Sequence, residues 1–222
     1  MTLEQITQEI LDSGIDGSKV SQSLKLWINR AIGNIATRNN FNCLRNLTAF
    51  TIAAGNNSVT LTNFKALGPE KSPVSTVLPG QSLPYPVQVI SRSSSEEHAP
   101  GWMGFATIPT GTAPLQFVYI ENAQAVWKLF IPANFRATSD LTFTLDAYFY
   151  PAALATSADN NGVTNHPILC ESVVHMVKAM CYRNEDPSDK RIVALNNEAG
   201  ALIRTAVHQD ALAKLSGRSL HF

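Results

Sequence analysis

Apolar residues recur every three to four positions at both ends of the chain and every second position through its middle. Leu3, Ile6, Ile10 and Leu11 predict a first helix over 2–13. Thr2 and Gln5 have capping-box spacing, in which each side chain satisfies an orphan backbone donor of the other. Gly14 offers a left-handed stop. A longer helix is predicted from Gly17 or Ser18 to Arg38. Val20, Leu24, Trp27, Ile28, Ala31, Ile32 and Ile35 form its stripe, with Lys19, Lys25, Asn29 and Arg30 opposite.

From Asn46 the period becomes two. Phe50 and Ile52 alternate with Thr51 and Ala53; Gly55-Asn56-Asn57 supplies turn chemistry; Val59 and Leu61 alternate with Thr60 and Thr62. This predicts a β-hairpin. Residues 86–91, 115–120, 125–131 and 141–150 also read as strands. Ten of the 12 prolines lie between Pro69 and Pro151, which excludes helices there and marks strand ends. Residues 91–101 are polar and read as an exposed loop.

Helical spacing returns after Asn165-His166-Pro167, with Asn165 as the expected cap and Pro167 in the first turn. Leu169, Val173, Met176, Val177 and Met180 form a stripe that Asp186-Pro187-Ser188 breaks. Ser188 is the expected cap of a last helix with Ile192, Leu195, Ala199, Leu202, Ile203, Ala206, Val207 and Leu212 inside and Gly217 as its stop. The tail 218–222 has no periodicity.

The expected fold is therefore α+β. Each single amphipathic stripe needs a partner, so the N- and C-terminal helices (1–45 and 165–222) should form a four-helix bundle. Trp27, Ile28, Ile32, Val173 and Leu202 are its expected core. Residues 46–164 should form an inserted all-β domain, sandwich-like or barrel-like.

Composition sharpens this picture. Only 15% of residues are charged, against a typical ~25%, and charges are depleted where proteins bury surface in assemblies. The 17 Lys and Arg balance the 17 Asp and Glu, so the overall phosphate-neutralising excess of a nucleic-acid gripper is missing. Cys43, Cys170 and Cys181 are odd in number with no close pair, which fits small buried thiols rather than a disulfide framework. The N-terminal residues do not read as a signal peptide, and no apolar run reaches the ~20 residues of a membrane span. The expectation is synthesis in a cytoplasm and no membrane partner.

No catalytic set emerges, and no cofactor or metal site is predicted. Histidines stand at 98, 166, 175, 208 and 221 without a metal-binding or nucleophile motif around them. Cys170 and His175 are five apart on one helix, about 140° around it, so they face different ways. His175 and His208 stand on different C-terminal helices and could meet, or could be one core and one solvated residue. Glu96-Glu97 fits a solvated pair in the polar loop better than a catalytic dyad. The aromatics of the middle region, Trp102, Phe105, Trp127, Phe130, Phe143, Tyr148, Phe149 and Tyr150, could stack bases or sugars. Five Lys and Arg against seven Asp and Glu over 46–164 disfavour nucleic acid, which leaves core packing or a sugar platform.

The order of features resembles the head-to-tail adaptors of tailed phages, also called head completion or connector proteins. Trp27-Ile28-Asn29-Arg30-Ala31, after Leu26, looks like that family's Trp-(Leu/Ile)-Asn-x-(Ala/Gly) signature. Phe50 to Leu61 resembles its first hairpin. Val118-Tyr119-Ile120, Leu129-Phe130-Ile131-Pro132 and 141–151 resemble its strand phrases, and Asn165-His166-Pro167 the opening of its C-terminal helices. The polar stretch 68–101 has no counterpart, and Leu61 is followed by Thr62-Asn63 where a Leu-Pro close is usual.

The resemblance implies a non-enzymatic virion protein at the head–tail interface. It implies a homo-oligomeric ring, a dodecamer, docked on the portal, with tail nozzle or tail tube proteins beneath. Genomic DNA would pass through the lumen during ejection without specific binding. It also implies a C-terminal segment, Arg218, Leu220, His221 and Phe222, that orders on docking to the portal; a merely frayed terminus is the alternative. The competing function is a tail or receptor-binding β-module of a virion, against which the flanking helices weigh. A carbohydrate-binding module would need exposed coplanar aromatics and would have no use for those helices.

Overall fold

A computed structural model describes residues 1–70, 72–77, 83–90, 117–131 and 139–218. The chain is α+β and divides into two compact units, Met1–Leu44 with Tyr150–Phe222, and Arg45–Phe149.

The first unit is helical: α1 (Leu3–Leu11), α2 (Gly17–Arg38), a 3-10 turn (Asn42–Leu44), α3 (Gly162–Asn165), α4 (Pro167–Glu185) and α5 (Arg191–Arg218). The Thr2–Gln5 capping box opens α1: Gln5 Oε1 accepts from the Thr2 N–H at 2.8 Å and Thr2 Oγ1 from the Gln5 N–H at 3.3 Å. Gly14 takes a φ of 85°, the left-handed turn between α1 and α2.

Two expected caps belong to other residues. Asn165 ends α3, and His166 caps α4, its ring nitrogen accepting from the Leu169 N–H. Ser188 is bonded to Asp186, while the Asp189 carboxylate accepts from the Arg191 N–H at 2.8 Å. The helix continues through Gly217 to Arg218.

The helices gather around α4, which packs against α5, α2, α3 and α1. From Leu169 to Tyr182 only Glu171 is exposed. A helix buried on nearly all sides must be apolar or small almost all round, and here Ser172, Cys170, Cys181 and Ala179 fill positions between valines. The buried Ser172 hydroxyl donates to the Ala199 carbonyl of α5 at 3.2 Å. Arg191 closes the α4–α5 joint, its guanidinium 3.8 Å above the Tyr182 ring while it pairs with Asp189 at 2.6 Å.

The second unit is a nearly closed sheet of β1 (Arg45–Ile52), β2 (Ser58–Thr60), β3 (Phe64–Leu67), β4 (Val74–Val77), β5 (Tyr85–Ile90), β6 (Phe117–Ala123), β7 (Val126–Phe130) and β8 (Leu141–Phe149). The order is β1-β8-β4-β5-β6-β7-β2, with β3 beside β4 along the same edge of β8. All pairings are antiparallel except β5 with β6.

The expected hairpin at 50–61 is not one. Its turn exists, with Gly55 at φ 83° and the Asn56 N–H on the Ala53 carbonyl at 3.0 Å. The two strands then part, β1 to β8 and β2 to β7. They are the two ends of the sheet path, so one short turn joins those ends and brings the sheet close to closure.

Ile52, Val87, Leu129, Ile131, Phe143 and Leu145 are fully buried in this unit. Each contributes roughly 1.5–3 kcal/mol by leaving water. One charged cluster ties the strands. Arg45 donates to both Asp146 oxygens, with Nε to Oδ1 at 2.7 Å, and to Glu70 at 2.9 Å. The Asp146 backbone bonds Gly68 at 2.8 Å and Pro73 at 2.7 Å. A Cβ on Gly68 would sit 2.8 Å from the Asp146 carboxyl, so only glycine admits this approach.

Candidate functional site

The groups that could carry chemistry are held in inert surroundings. Burial pushes the Cys43 and Cys181 thiols up to about 11, aided by Asp210 and Glu185 respectively, and raises Cys170 as well. A thiol held neutral is a poor nucleophile. His175 lies against Glu198, Nδ1 to Oε2 3.0 Å, and His208 stands exposed ten residues further along α5. Glu198, not the second histidine, is therefore the close neighbour of His175, within ion-pair distance but without hydrogen-bond geometry at Nδ1. Among the described residues no three His, Cys, Asp or Glu side chains gather as a metal site.

Several of the described middle aromatics pack on one another, while Tyr148 is buried and Tyr150 is 39% exposed. Phe64 meets Trp127 edge-on at 5.4 Å, Phe50 stacks on Phe149 at 6.2 Å, and Tyr119 stacks on its cross-strand partner Phe130 at 4.9 Å. Phe143 is fully buried. These rings spend their faces on the protein itself. Trp102 and Phe105 lie outside the described residues.

The distinctive surface features are on the helices. Asn29, placed by periodicity on the polar side of α2, is half-buried. Its amide takes the Leu154 N–H at 2.7 Å and gives a bond to the Leu154 carbonyl at 3.0 Å, while Lys25 Nζ reaches the Ala155 carbonyl at 2.7 Å. These bonds bind the segment before α3 to α2. Amphipathic periodicity cannot reveal them, because the partner is backbone far away in sequence.

The second feature is the length of α5. Ser172 faces Ala199 and His175 faces Glu198, so α4 and α5 run antiparallel. By that register the first residue of α4, Pro167, lies opposite about residue 204. Among the described side chains the last buried one of α5 is Ala206. Beyond it, residues 207–218 extend past α4 for about 18 Å at 1.5 Å per residue. Val207 and Leu212, expected inside, are 37% and 51% exposed. Asp210 ties this extension to the rest of the unit, accepting from the Asn42 N–H at 2.6 Å.

Of the expected core, Ile28, Ile32 and Val173 are buried, and Trp27 and Leu202 half-buried. Of the expected docking residues, Arg218 ends α5 with its side chain outside the described set. Leu220, His221 and Phe222 lie outside the described residues. No described helix is long and apolar enough to cross a membrane.

Comparison with known proteins gives one family: the family model described as SU10 adaptor protein matches residues 1–219. No curated protein matches the chain.

Proposed function

Because this chain belongs to the SU10 adaptor protein family, a family of phage head-to-tail adaptors, we propose that it assembles into a closed ring bridging the portal and the tail. The family match along nearly the whole chain carries this reading. The coarser statement follows from membership: the chain is a phage structural adaptor protein of the virion's head–tail junction.

In the finer reading the ring is a dodecamer. The helical unit, packed as a four-helix bundle, forms its wall, and tail nozzle or tube proteins attach below. Ring assembly requires heterologous contacts with a closing rotation, and a chain with 15% charged residues has few charges to desolvate in them. The lumen passes genomic DNA without gripping it, in keeping with a net charge of zero.

The extension of α5 supports a docking role for the C-terminus. It carries the exposed Val207 and Leu212 past the end of α4 and delivers Arg218, Leu220, His221 and Phe222 to the portal. Apolar anchors on a terminal segment fit capture by a groove on a partner. No catalytic role is proposed.

Electron microscopy of virions labelled at this chain tests the reading. A ring of label at the head–tail vertex is expected, and label on fibres or on the capsid faces contradicts it. A chain truncated after Leu215 tests the docking segment: it should saturate DNA-filled heads more weakly than the full chain. Equal saturation removes the docking role and leaves the ring.

A further inference from the structure

The zero net charge conceals a segregation. Residues 1–16 contain Glu4, Glu9, Asp12 and Asp16 and no Lys or Arg. Residues 17–69 contain Lys19, Lys25, Arg30, Arg38, Arg45 and Lys65 and no Asp or Glu. Helix α1 is therefore purely acidic and α2 purely basic.

The structure puts these charges on outward faces. Leu3, Ile6 and Ile10 of α1 are buried, which leaves Glu4, Gln8, Glu9 and Asp12 exposed on the other side. On α2 the buried stripe centres on Leu24, Ile28, Ala31 and Ile35. The opposite line, by 100° steps, is Lys19, Gln22, Leu26, Arg30 and Gly33. Leu26 is 59% exposed at its middle.

Part of this charge is used within the chain: Asp16 caps α2, Lys25 holds the Ala155 carbonyl and Arg45 the Asp146 carboxylate. Lys19 makes a loose pair with Asp16 at 3.7 Å. Among the described residues no ion pair engages Arg30, Arg38, Glu4 or Glu9.

Resting on the ring reading, we propose that the basic α2 face of one copy docks on the acidic α1 face of the next. Leu26 is the apolar anchor of this contact, and Lys19 and Arg30 are its charged rim. The occupant is a second copy because the chain itself supplies the complementary face. Each copy offers one α2 and one α1, the condition for a head-to-tail contact that repeats until a ring closes. It also explains how neutral copies attract one another: the attraction lies between faces, not between totals. The arrangement of a desolvated apolar centre inside a polar rim matches the anatomy of protein interfaces. A DNA-lining role for the same face fits less well, since Leu26 would meet phosphate and water.

Charge reversal tests the contact. Arg30→Glu with Lys19→Glu, and separately Glu4→Lys with Glu9→Lys, change exposed residues, so melting curves should match the wild type. Mass photometry with the portal present should show the concentration for half-assembly raised about tenfold or more by each pair. Combining both pairs in one chain should restore assembly, because every contact is then inverted. Leu26→Ser should weaken assembly without a restoring partner.

Three results overturn the proposal. If the wild type forms rings and both reversed variants form them equally well, this contact is wrong and the ring stands. If the wild type stays monomeric beside its portal, the ring reading falls and the contact with it. If the α2 reversal spares assembly but abolishes salt-sensitive DNA binding, the face lines the channel instead.

Discussion

Helices α4 and α5 are neighbours in sequence and in space, yet they treat their surfaces oppositely. Helix α4, 19 residues, is wrapped by four other helices and shows solvent almost nothing between Leu169 and Tyr182. Helix α5, 28 residues, buries only Ile192, Ala199, Ile203 and Ala206 among its described apolar side chains and then outruns its partner. The difference follows from length. Two antiparallel helices of unequal length leave the longer one without that partner over its outer part, where Val207 and Leu212 are exposed. Burial in the unit is concentrated in α4, and exposed apolar side chains lie on α5 and α2.

The largest effect should come from breaking the covered helix. Leu169→Ala removes a fully buried side chain, which typically costs about 2–5 kcal/mol. A thermal melt should fall clearly, and an unchanged melt would contradict α4 as the hub. Trp27→Ala comes next. The ring is only half-buried, so the loss should be about 2 kcal/mol, less than for a fully enclosed tryptophan.

Ser172→Ala is a finer probe of the α4–α5 seam. It deletes one buried hydrogen bond to Ala199, worth about 1 kcal/mol, and urea denaturation should resolve it. The uncovered helix sharpens the contrast at the small end. Leu212→Ala should shift the melt by less than about 0.5 kcal/mol, as exposed substitutions do, while weakening attachment to heads.

A chemical probe tests burial directly. Cys170 and Cys181 both lie on α4, and Cys181 is pushed up to about 11. Alkylation at pH 8 should be slow in the native chain and fast in urea, because thiolate is scarce at that pH only in the folded state. Rapid native labelling would show that α4 opens.

The helices were legible in the sequence because 3.6-residue periodicity reports one-sided burial. The stripe picks out the buried residues of α1 and α2 except Ala36, and includes Leu11 and Trp27, which are half-buried. Periodicity carries no information about where a partner ends, so Val207 and Leu212, which continue the α5 pattern, were placed inside. The caps failed for a related reason: Asn165, Ser188 and Asp189 are all good capping types, and only the helix starts choose between them.

In the sheet, β6, β7 and β8 could be read from alternation, but β3 and β4 are four residues each and lie either side of Pro69 and Pro73, too short for a pattern. The hairpin failed although its turn was right. A turn fixes chain reversal, not hydrogen-bond partners, and here β8 and β7 take the two strands. The α1 and α2 surfaces were hidden by whole-chain totals, which cancel an acidic helix against a basic one.

The most direct test of the account is the mass of the species that the wild-type chain forms with its portal. Mass photometry at micromolar concentration should show one discrete closed assembly, with its mass increment a fixed multiple of the 24.1 kDa subunit. A continuous ladder of open polymers, or a subunit that remains 24.1 kDa beside the portal, would contradict it.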